Sequence, residues 1–389
     1  MYIIDAHEDL AYCILTFGRD YTLSTAETRR LEAGTPIPER TGDTLLGYPD
    51  YVQGRVAVVF ATLFAAPWEP RIVGWEKLVY RDIEEAHRLY WKQLEIYQRL
   101  TDEHPDLFRL VLNSKDLDET LQKWQDFDLL QAVETKVERD EEDQDTGEKE
   151  DITTKPSGPP VGLVVLMEGA EGVRNLGELE EWWQGGVRII GPAWKGTRFC
   201  GGTDQPGPLT REGYALLEAM AAIGFGLDLA HMDETSAMQA IDAYPGTILA
   251  SHANAKALLK EAETNRHLTD CVIQGLLERD GIIGVVPGNS FLKAGWRKED
   301  GRGIVSLQDV VTQIDYICQM AGDALHVGIG TDFDAGFGWQ KVPVEIDTIA
   351  DLHKLGPLLA EKGYTQEDIA AILGGNWGAV LKRILPEVS

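Results

Sequence analysis

Tyr2-Ile3-Ile4-Asp5-Ala6-His7-Glu8-Asp9-Leu10 opens the chain with a short apolar run that climbs into a His-x-Asp pair. On a β-strand, residues two apart point to the same face. His7 and Asp9 therefore project together at the strand's C-terminal end. An imidazole beside a carboxylate suits a zinc-like divalent metal. Taken alone, so short a pair is explained better as a solvated strand end. What gives it weight is recurrence, because later strands also end in a polar residue able to bind metal or do chemistry.

Val56-Ala57-Val58-Val59-Phe60-Ala61-Thr62-Leu63-Phe64 is a continuous apolar run, the pattern of a strand buried on both faces. Further strands are expected over 161–167, 187–190, 225–229, 247–250, 282–286 and 326–330. They lead into Glu168-Gly169, Pro192-Ala193-Trp194, Ala230-His231, Ser251-His252, Pro287-Gly288-Asn289 and Thr331-Asp332-Phe333-Asp334. Between them, helical spacing runs over 83–100, 176–183, 211–223, 234–243, 270–279 and 307–320. Asp233 is placed to cap the helix over 234–243 and Pro245 to stop it, and Gly224 and Gly322 stop those over 211–223 and 307–320. Two more helices, over 349–362 and 366–385, close the chain. Strict alternation of strand and helix implies a parallel sheet. Eight such repeats favour a closed (β/α)8 TIM-type barrel over an open doubly wound sheet. No G-x-G-x-x-G follows the first strand, which weakens a dinucleotide fold further.

Three stretches break the rhythm. Residues 18–49 mix Gly, Pro, Thr and Arg and read as a long loop with a short helix, a feature that is often functional. Residues 137–160 carry Glu138-Arg139-Asp140-Glu141-Glu142-Asp143-Gln144-Asp145 and end in Lys155-Pro156-Ser157-Gly158-Pro159-Pro160. Like charges repel and nothing apolar anchors them, so this is expected to be an acidic, mobile insertion rather than a cation-binding loop. The rhythm resumes beyond it, so the expectation is one domain over 1–389. Residues 293–302, polar and Gly-bearing, read as a lid or an interface.

The chain of 389 residues is long enough to bury a large core. Its 64 acidic against 36 basic residues give a net charge of −28 at pH 7. Such a surface repels phosphate backbones and anionic lipid, which argues against nucleic-acid and membrane partners. Cys13, Cys200, Cys271 and Cys318 are far apart and form no C-x-x-C pair; buried thiols in a reducing compartment are expected. With no signal-like start and no apolar run near the ~20 residues that span a bilayer, the expectation is a cytoplasmic protein.

In a barrel of this kind, catalytic groups sit at the C-terminal ends of the strands. Here those positions hold His7, Asp9, Glu168, His231, His252 and Asp332. Each has a plainer explanation alone: a solvated strand end for Glu168, a hydrogen-bonded structural histidine for His231 or His252, a turn cap for Asp332. Together, three imidazoles and three carboxylates at one register exceed the needs of a single zinc. They match two metals sharing a carboxylate.

At this point the sequence resembles the membrane dipeptidase (renal dipeptidase) family of the amidohydrolase superfamily. The matching stretches are Asp5-Ala6-His7-Glu8-Asp9-Leu10, Met167-Glu168-Gly169, Gly186-Val187-Arg188, Asp228-Leu229-Ala230-His231 and Ser251-His252-Ala253-Asn254-Ala255. Arg266-His267-Leu268-Thr269-Asp270, Val327-Gly328-Ile329-Gly330-Thr331-Asp332-Phe333-Asp334 and Leu373-Gly374-Gly375-Asn376 follow in family order. The resemblance implies a (β/α)8 barrel with two zinc ions. His7, Asp9 and Glu168 would bind one, and Glu168, His231 and His252 the other, with Glu168 bridging. It also implies a metal-bridging hydroxide, Asp332 as acid/base and Arg266 as the holder of a substrate carboxylate, which an Arg fork suits. The implied activity is that of a zinc dipeptidase acting on short peptides with a free C-terminal carboxylate. A homodimer is a state known among relatives, but no interface is legible here.

One departure stands out. Where the family carries a substrate-contacting histidine after the fourth strand, this chain has Trp194, in Gly191-Pro192-Ala193-Trp194-Lys195. An indole can donate a hydrogen bond but cannot become a cation. Lys195, Arg198 and His267 are the nearby candidates for a replacement charge. The Cys200-Gly201-Gly202-Thr203 loop is also hard to align. Trp194 thus keeps a second reading open, a binuclear hydrolase of another amide, lactam or ester carrying a carboxylate. A non-catalytic metal-binding relative ranks third, because a chain freed from catalysis need not retain Asp332.

Overall fold

The first strand, β1 (Ile3–Glu8), is buried along its whole length. It lies between β2 (Val56–Phe64) and the last barrel strand, β8 (Val327–Ile329), parallel to both. The remaining barrel strands are β3 (Val161–Glu168), β4 (Val187–Gly191), β5 (Gly226–Asp228), β6 (Ile248–Ala250) and β7 (Ile282–Val285). Neighbours pair in parallel from β3 to β8, and β2 pairs with β3 from Val58↔Gly162 to Phe64↔Glu168, which closes the eight-stranded barrel. A computed structural model describes residues 1–70, 74–142 and 158–388. A short extra strand, Phe108–Leu110, pairs with the start of β3 below the point where β4 joins it.

Close backbone approach holds the rim in shape. A Cβ on Gly330 would lie 2.0 Å from the Ser251 carbonyl oxygen, so only glycine lets β8 pass that close to the end of β6. At the other end, Leu373-Gly374-Gly375 lies in a π-helical turn, Ala371–Gly375, that runs from helix Gln366–Ala370 into helix Asn376–Ile384. Just past that turn Asn376 Nδ2 donates to the carbonyls of Ala324 (2.7 Å) and Val327 (2.8 Å), and Trp377 Nε1 donates to that of Ile329 (3.0 Å). This motif therefore ties the closing helix to β8 rather than to the chemistry.

Most expected helices form close to their expected bounds, including Arg211–Ile223 and Glu234–Ala243 with Asp233 as its N-cap. Three expectations need correction. The 18–49 stretch holds two helices, Thr25–Glu32 and Ile37–Arg40, and leads into a third, Tyr48–Gly54. A long helix, Ser114–Glu142, runs through residues expected to be irregular from 137 onward. Its first turns bury Leu117, Leu121 and Trp124, an apolar spacing that anchors that part of the helix. The rest of the acidic stretch, 143–157, lies outside the described residues. Finally, Cys13, Cys200 and Cys318 are buried thiols as expected, but Cys271 is exposed, at the first turn of helix Asp270–Glu278.

No helix among the described residues is long and apolar enough to cross a membrane. The 293–302 stretch is latched to the loop after β8, where Arg302 donates to the carbonyls of Val342 (3.0 Å) and Pro343 (2.7 Å) and stacks over Trp339.

Candidate metal centre

The C-terminal rims of β1, β3, β5, β6 and β8 bring all six predicted residues into one cluster. His7 points its Nε2 at three carboxylates: Asp9 Oδ2 at 3.7 Å, Glu168 Oε1 at 3.8 Å and Asp332 Oδ1 at 3.9 Å. Glu168 Oε1 also lies 3.0 Å from His231 Nε2 and 3.4 Å from His252 Nε2, and the two imidazole nitrogens are 3.0 Å apart. Donors on a tetrahedral ion with bonds of ~2.0–2.1 Å lie about 3.3–3.4 Å from one another, so this triple has the spacing a zinc-sized ion imposes. Asp9 Oδ1 is buried without a hydrogen-bond partner, an acceptor that a cation would satisfy.

Local sequence explains how these groups reach the rim. Asp9 sits one residue past β1, as the N-cap of helix Leu10–Phe17. His231 and Asp332 both adopt left-handed backbone, at φ 66° and 56°. For a non-glycine residue this costs roughly 1–2 kcal/mol, and such strain collects at functional sites. Asp5, buried on β1, accepts the Thr331 N–H at 2.7 Å and so fixes the segment leading into Asp332 against the first strand.

The imidazoles are held from behind. Ser251 Oγ donates to Asp228 Oδ2 at 2.5 Å, so its lone pairs are left to accept from His252 Nδ1 at 2.8 Å. That relay puts the His252 proton on Nδ1 and leaves Nε2 bare toward Glu168, the tautomer a metal needs. Thr203 backs His231, with Oγ1 at 2.9 Å from Nδ1. Thr203 follows strand Cys200–Gly202 of a small hairpin closed by Gln205–Leu209, and its N–H donates to the Trp194 carbonyl. The loop that resisted alignment thus supports a candidate ligand. Only its spacing from His231 in three dimensions reveals that.

Electrostatics follow from burial among opposite charges. Burial pulls His7 down, but Glu168, Asp9 and Asp332 outweigh it and lift its pKa to about 10, so a proton stands where positive charge is called for. Burial, helped by the charges of Arg266 and His7, holds His231 and His252 well below their usual value, in the neutral ligating form. Asp332 is pushed up to about 6 by burial, against the pull of His7. A bound cation would lower it again.

Arg266 lies beside the cluster, its Nη2 donating to the His252 carbonyl at 2.7 Å and its guanidinium over the Phe291 ring. Its Nε and Nη1 are buried with no partner. Trp194 sits 6.2 Å from the His231 ring and 5.0 Å edge-on from Phe64, centroid to centroid. None of the three candidate replacement charges aims a free cation at the cluster. Lys195 pairs with Glu69 at 2.5 Å, and Arg198 with Glu171 and Glu212 at 3.2 and 3.3 Å. Burial and the neighbouring Arg266 push His267 down to about 3. Lys341, which the sequence did not single out, lies near Asp332 instead. Burial lowers its pKa against the pull of Asp332, and its Nζ donates to the Gly336 carbonyl, in the loop on which the Asp332 carboxylate rests.

Residues 129–385, more than half of the chain, match the membrane dipeptidase family, peptidase family M19. The matched part contains Glu168, Trp194, His231, His252, Arg266 and Asp332 and begins after His7 and Asp9. An uncharacterized protein of the pqqA 5′ region in Klebsiella pneumoniae is 32% identical over 234 residues, 58% of this chain and 82% of that protein. Dipeptidase tcpJ of Claviceps purpurea is 26% identical over 57% of this chain, and the match spans 52% of its length. Among solved structures, the dipeptidase AC, a metallo peptidase of family M19, shares 99% of both chains at 20% identity with a TM-score of 0.72. The metallo peptidase from Rhodobacter sphaeroides, liganded with a phosphinate mimic of the dipeptide L-Ala-D-Ala, gives the same values. At such identity these structures speak to the fold, the same barrel from end to end. The family match, laid over that barrel and its rim of imidazoles and carboxylates, makes this chain a member of the membrane dipeptidase family.

Proposed function

We propose that the chain is a zinc-dependent dipeptidase, hydrolysing short peptides with a free C-terminal carboxylate. The observation that carries this reading is the meeting of five candidate ligands, one further carboxylate and one buried arginine at a single barrel mouth. His7, Asp9 and Glu168 would hold one metal ion, and Glu168, His231 and His252 the other, with Glu168 shared. Two zinc ions there would supply Lewis acidity to the scissile carbonyl and lower the pKa of water.

The chain's own groups do the rest. Asp332 takes a proton from the attacking water and passes one to the leaving amine, a role its carboxylate suits by standing at the same rim as the ligands, 3.9 Å from His7 Nε2. Arg266 receives the terminal carboxylate on its unpartnered nitrogens, where burial strengthens the pair. Ser251 and Thr203 keep the imidazoles aimed.

The test is hydrolysis of a panel of L,L- and L,D-dipeptides by zinc-loaded protein, beside a chelated sample. Chelator-sensitive turnover is the expected result. Silence across the panel with two metals bound would overturn the reading. It would favour the second one, another amide, lactam or ester bearing a carboxylate, for which Trp194 is the specific motive.

A further inference from the structure

The two sides of the barrel mouth differ in kind. Arg266 follows β6 and stacks on Phe291, beyond β7, so a carboxylate held there lies on the β6–β8 side. The opposite side, from β2 to β4, is aromatic. Trp194 borders His231, Phe64 meets Trp194 edge-on at 5.0 Å, and Tyr12 lies 5.7 Å from Phe64. Trp194 and Phe64 are only half-buried, so part of each ring is accessible. Lys195 Nζ lies over the Trp194 ring, 5.7 Å from its centroid, and its charge is met by Glu69 at 2.5 Å.

A dipeptide whose carboxylate is on Arg266 and whose scissile carbonyl is at the imidazole–carboxylate cluster places its N-terminal residue on this aromatic side. We propose that Trp194 and Phe64 form a subsite that selects substrates whose N-terminal residue carries a large aliphatic or aromatic side chain. This rests on the dipeptidase reading and adds the substrate class to it. A phenyl or isobutyl group gains ring contacts and leaves water there. A hydrogen gains nothing, and a carboxylate loses its hydration against two apolar rings.

Two measurements test this. The first compares kcat/KM of the zinc-loaded protein on Phe-Ala, Leu-Ala, Gly-Ala and Asp-Ala. The second is calorimetric binding of two phosphinate dipeptide mimics that differ only in the N-terminal side chain, benzyl against hydrogen. Wild-type protein should favour the large apolar side chain by about 10- to 100-fold in both. Trp194→Ala should collapse that ratio toward one, and Trp194→Phe should keep most of it. Equal handling of Gly-Ala and Phe-Ala by wild-type protein would overturn the subsite, while metal-dependent cleavage would leave the dipeptidase reading standing. Absent turnover with selective, Trp194-dependent binding of the benzyl mimic would keep the subsite and overturn the activity. Failure to bind either mimic would overturn both.

Discussion

Replacing Asp334 with alanine should destabilise the protein severely, although no reaction step uses this residue. Its side chain is fully buried and collects donors from the distant 18–49 stretch. Oδ1 accepts the Leu45 N–H at 2.7 Å; Oδ2 accepts the Tyr21 hydroxyl at 2.9 Å and that of Thr44, and lies 3.0 Å from Arg19 Nη1. Arg19 in turn donates from Nε to Glu32 at 2.9 Å. Breaking one partner of a buried ion pair costs about 3–5 kcal/mol, because the other charge is left uncompensated. Here three neutral donors are orphaned as well, at about 1–3 kcal/mol each if nothing relaxes. Asp334 also sits at φ 74°, which alanine tolerates less well than aspartate. Since such terms overlap, we take about 4 kcal/mol as the expected loss, a large share of an ordinary 5–15 kcal/mol stability. Urea denaturation followed by circular dichroism reads it directly. The double variant Arg19→Met/Asp334→Ala should lose clearly less than the two single losses summed, by about 2 kcal/mol or more. A single-variant loss under 1 kcal/mol, or strict additivity, would refute the account of Asp334 as the hub joining these segments.

Other predictions follow from the site and the thiols. Asp332→Asn should lower kcat by about 10²–10⁴-fold, while metal content measured by mass spectrometry stays at the wild-type level; equal activity would remove Asp332 from proton transfer. Ser251→Ala breaks the Asp228–Ser251–His252 relay and should weaken metal affinity about 10- to 100-fold, read by competition with a chromogenic chelator. In native protein one thiol, Cys271, should react quickly with a disulfide reagent and all four after unfolding. Burial both hides the others and raises their pKa, Cys200 to about 12 and Cys318 to about 11. His267 is buried neutral with its pKa lowered to about 3, against about 6.5 in the unfolded chain, so unfolding takes up a proton between those values. Its contribution is complete above about pH 6.5 and is lost as pH falls toward 3. His267→Phe should therefore flatten the acid side of a stability–pH curve by up to about 1.4 kcal/mol per pH unit; an unchanged slope would count against it.

The barrel was legible because its signals are local. A strand such as Val56–Phe64, buried on both faces, must be apolar throughout, and the same chain positions end in His231, His252 or Asp332. Strand-end register then placed the six polar residues on one rim without any knowledge of their partners. No helix was expected over Ser114–Glu142: its anchoring residues, Leu117, Leu121 and Trp124, are few, and they lie turns away from the acidic end that reads as irregular. Thr203 and Lys341 were invisible as site residues for a related reason. A threonine after a Gly-Gly pair and a lysine in a loop carry no pattern, and each acquires meaning only from a neighbour across space.

The sequence by itself determined the alternation of strand and helix, the closed barrel and the set of groups at its mouth. Each depends on periodicity or on position within an element, and both are written along the chain. Only the tertiary structure decided how those groups are held and what surrounds them. The Asp334 hub joins residues about 290 to 315 positions apart, Ser251 aims His252 through Asp228, and Phe64 meets Trp194 across the barrel rim. Contacts between distant segments exist only once closure of the sheet brings the strand ends together, so no local pattern can encode them.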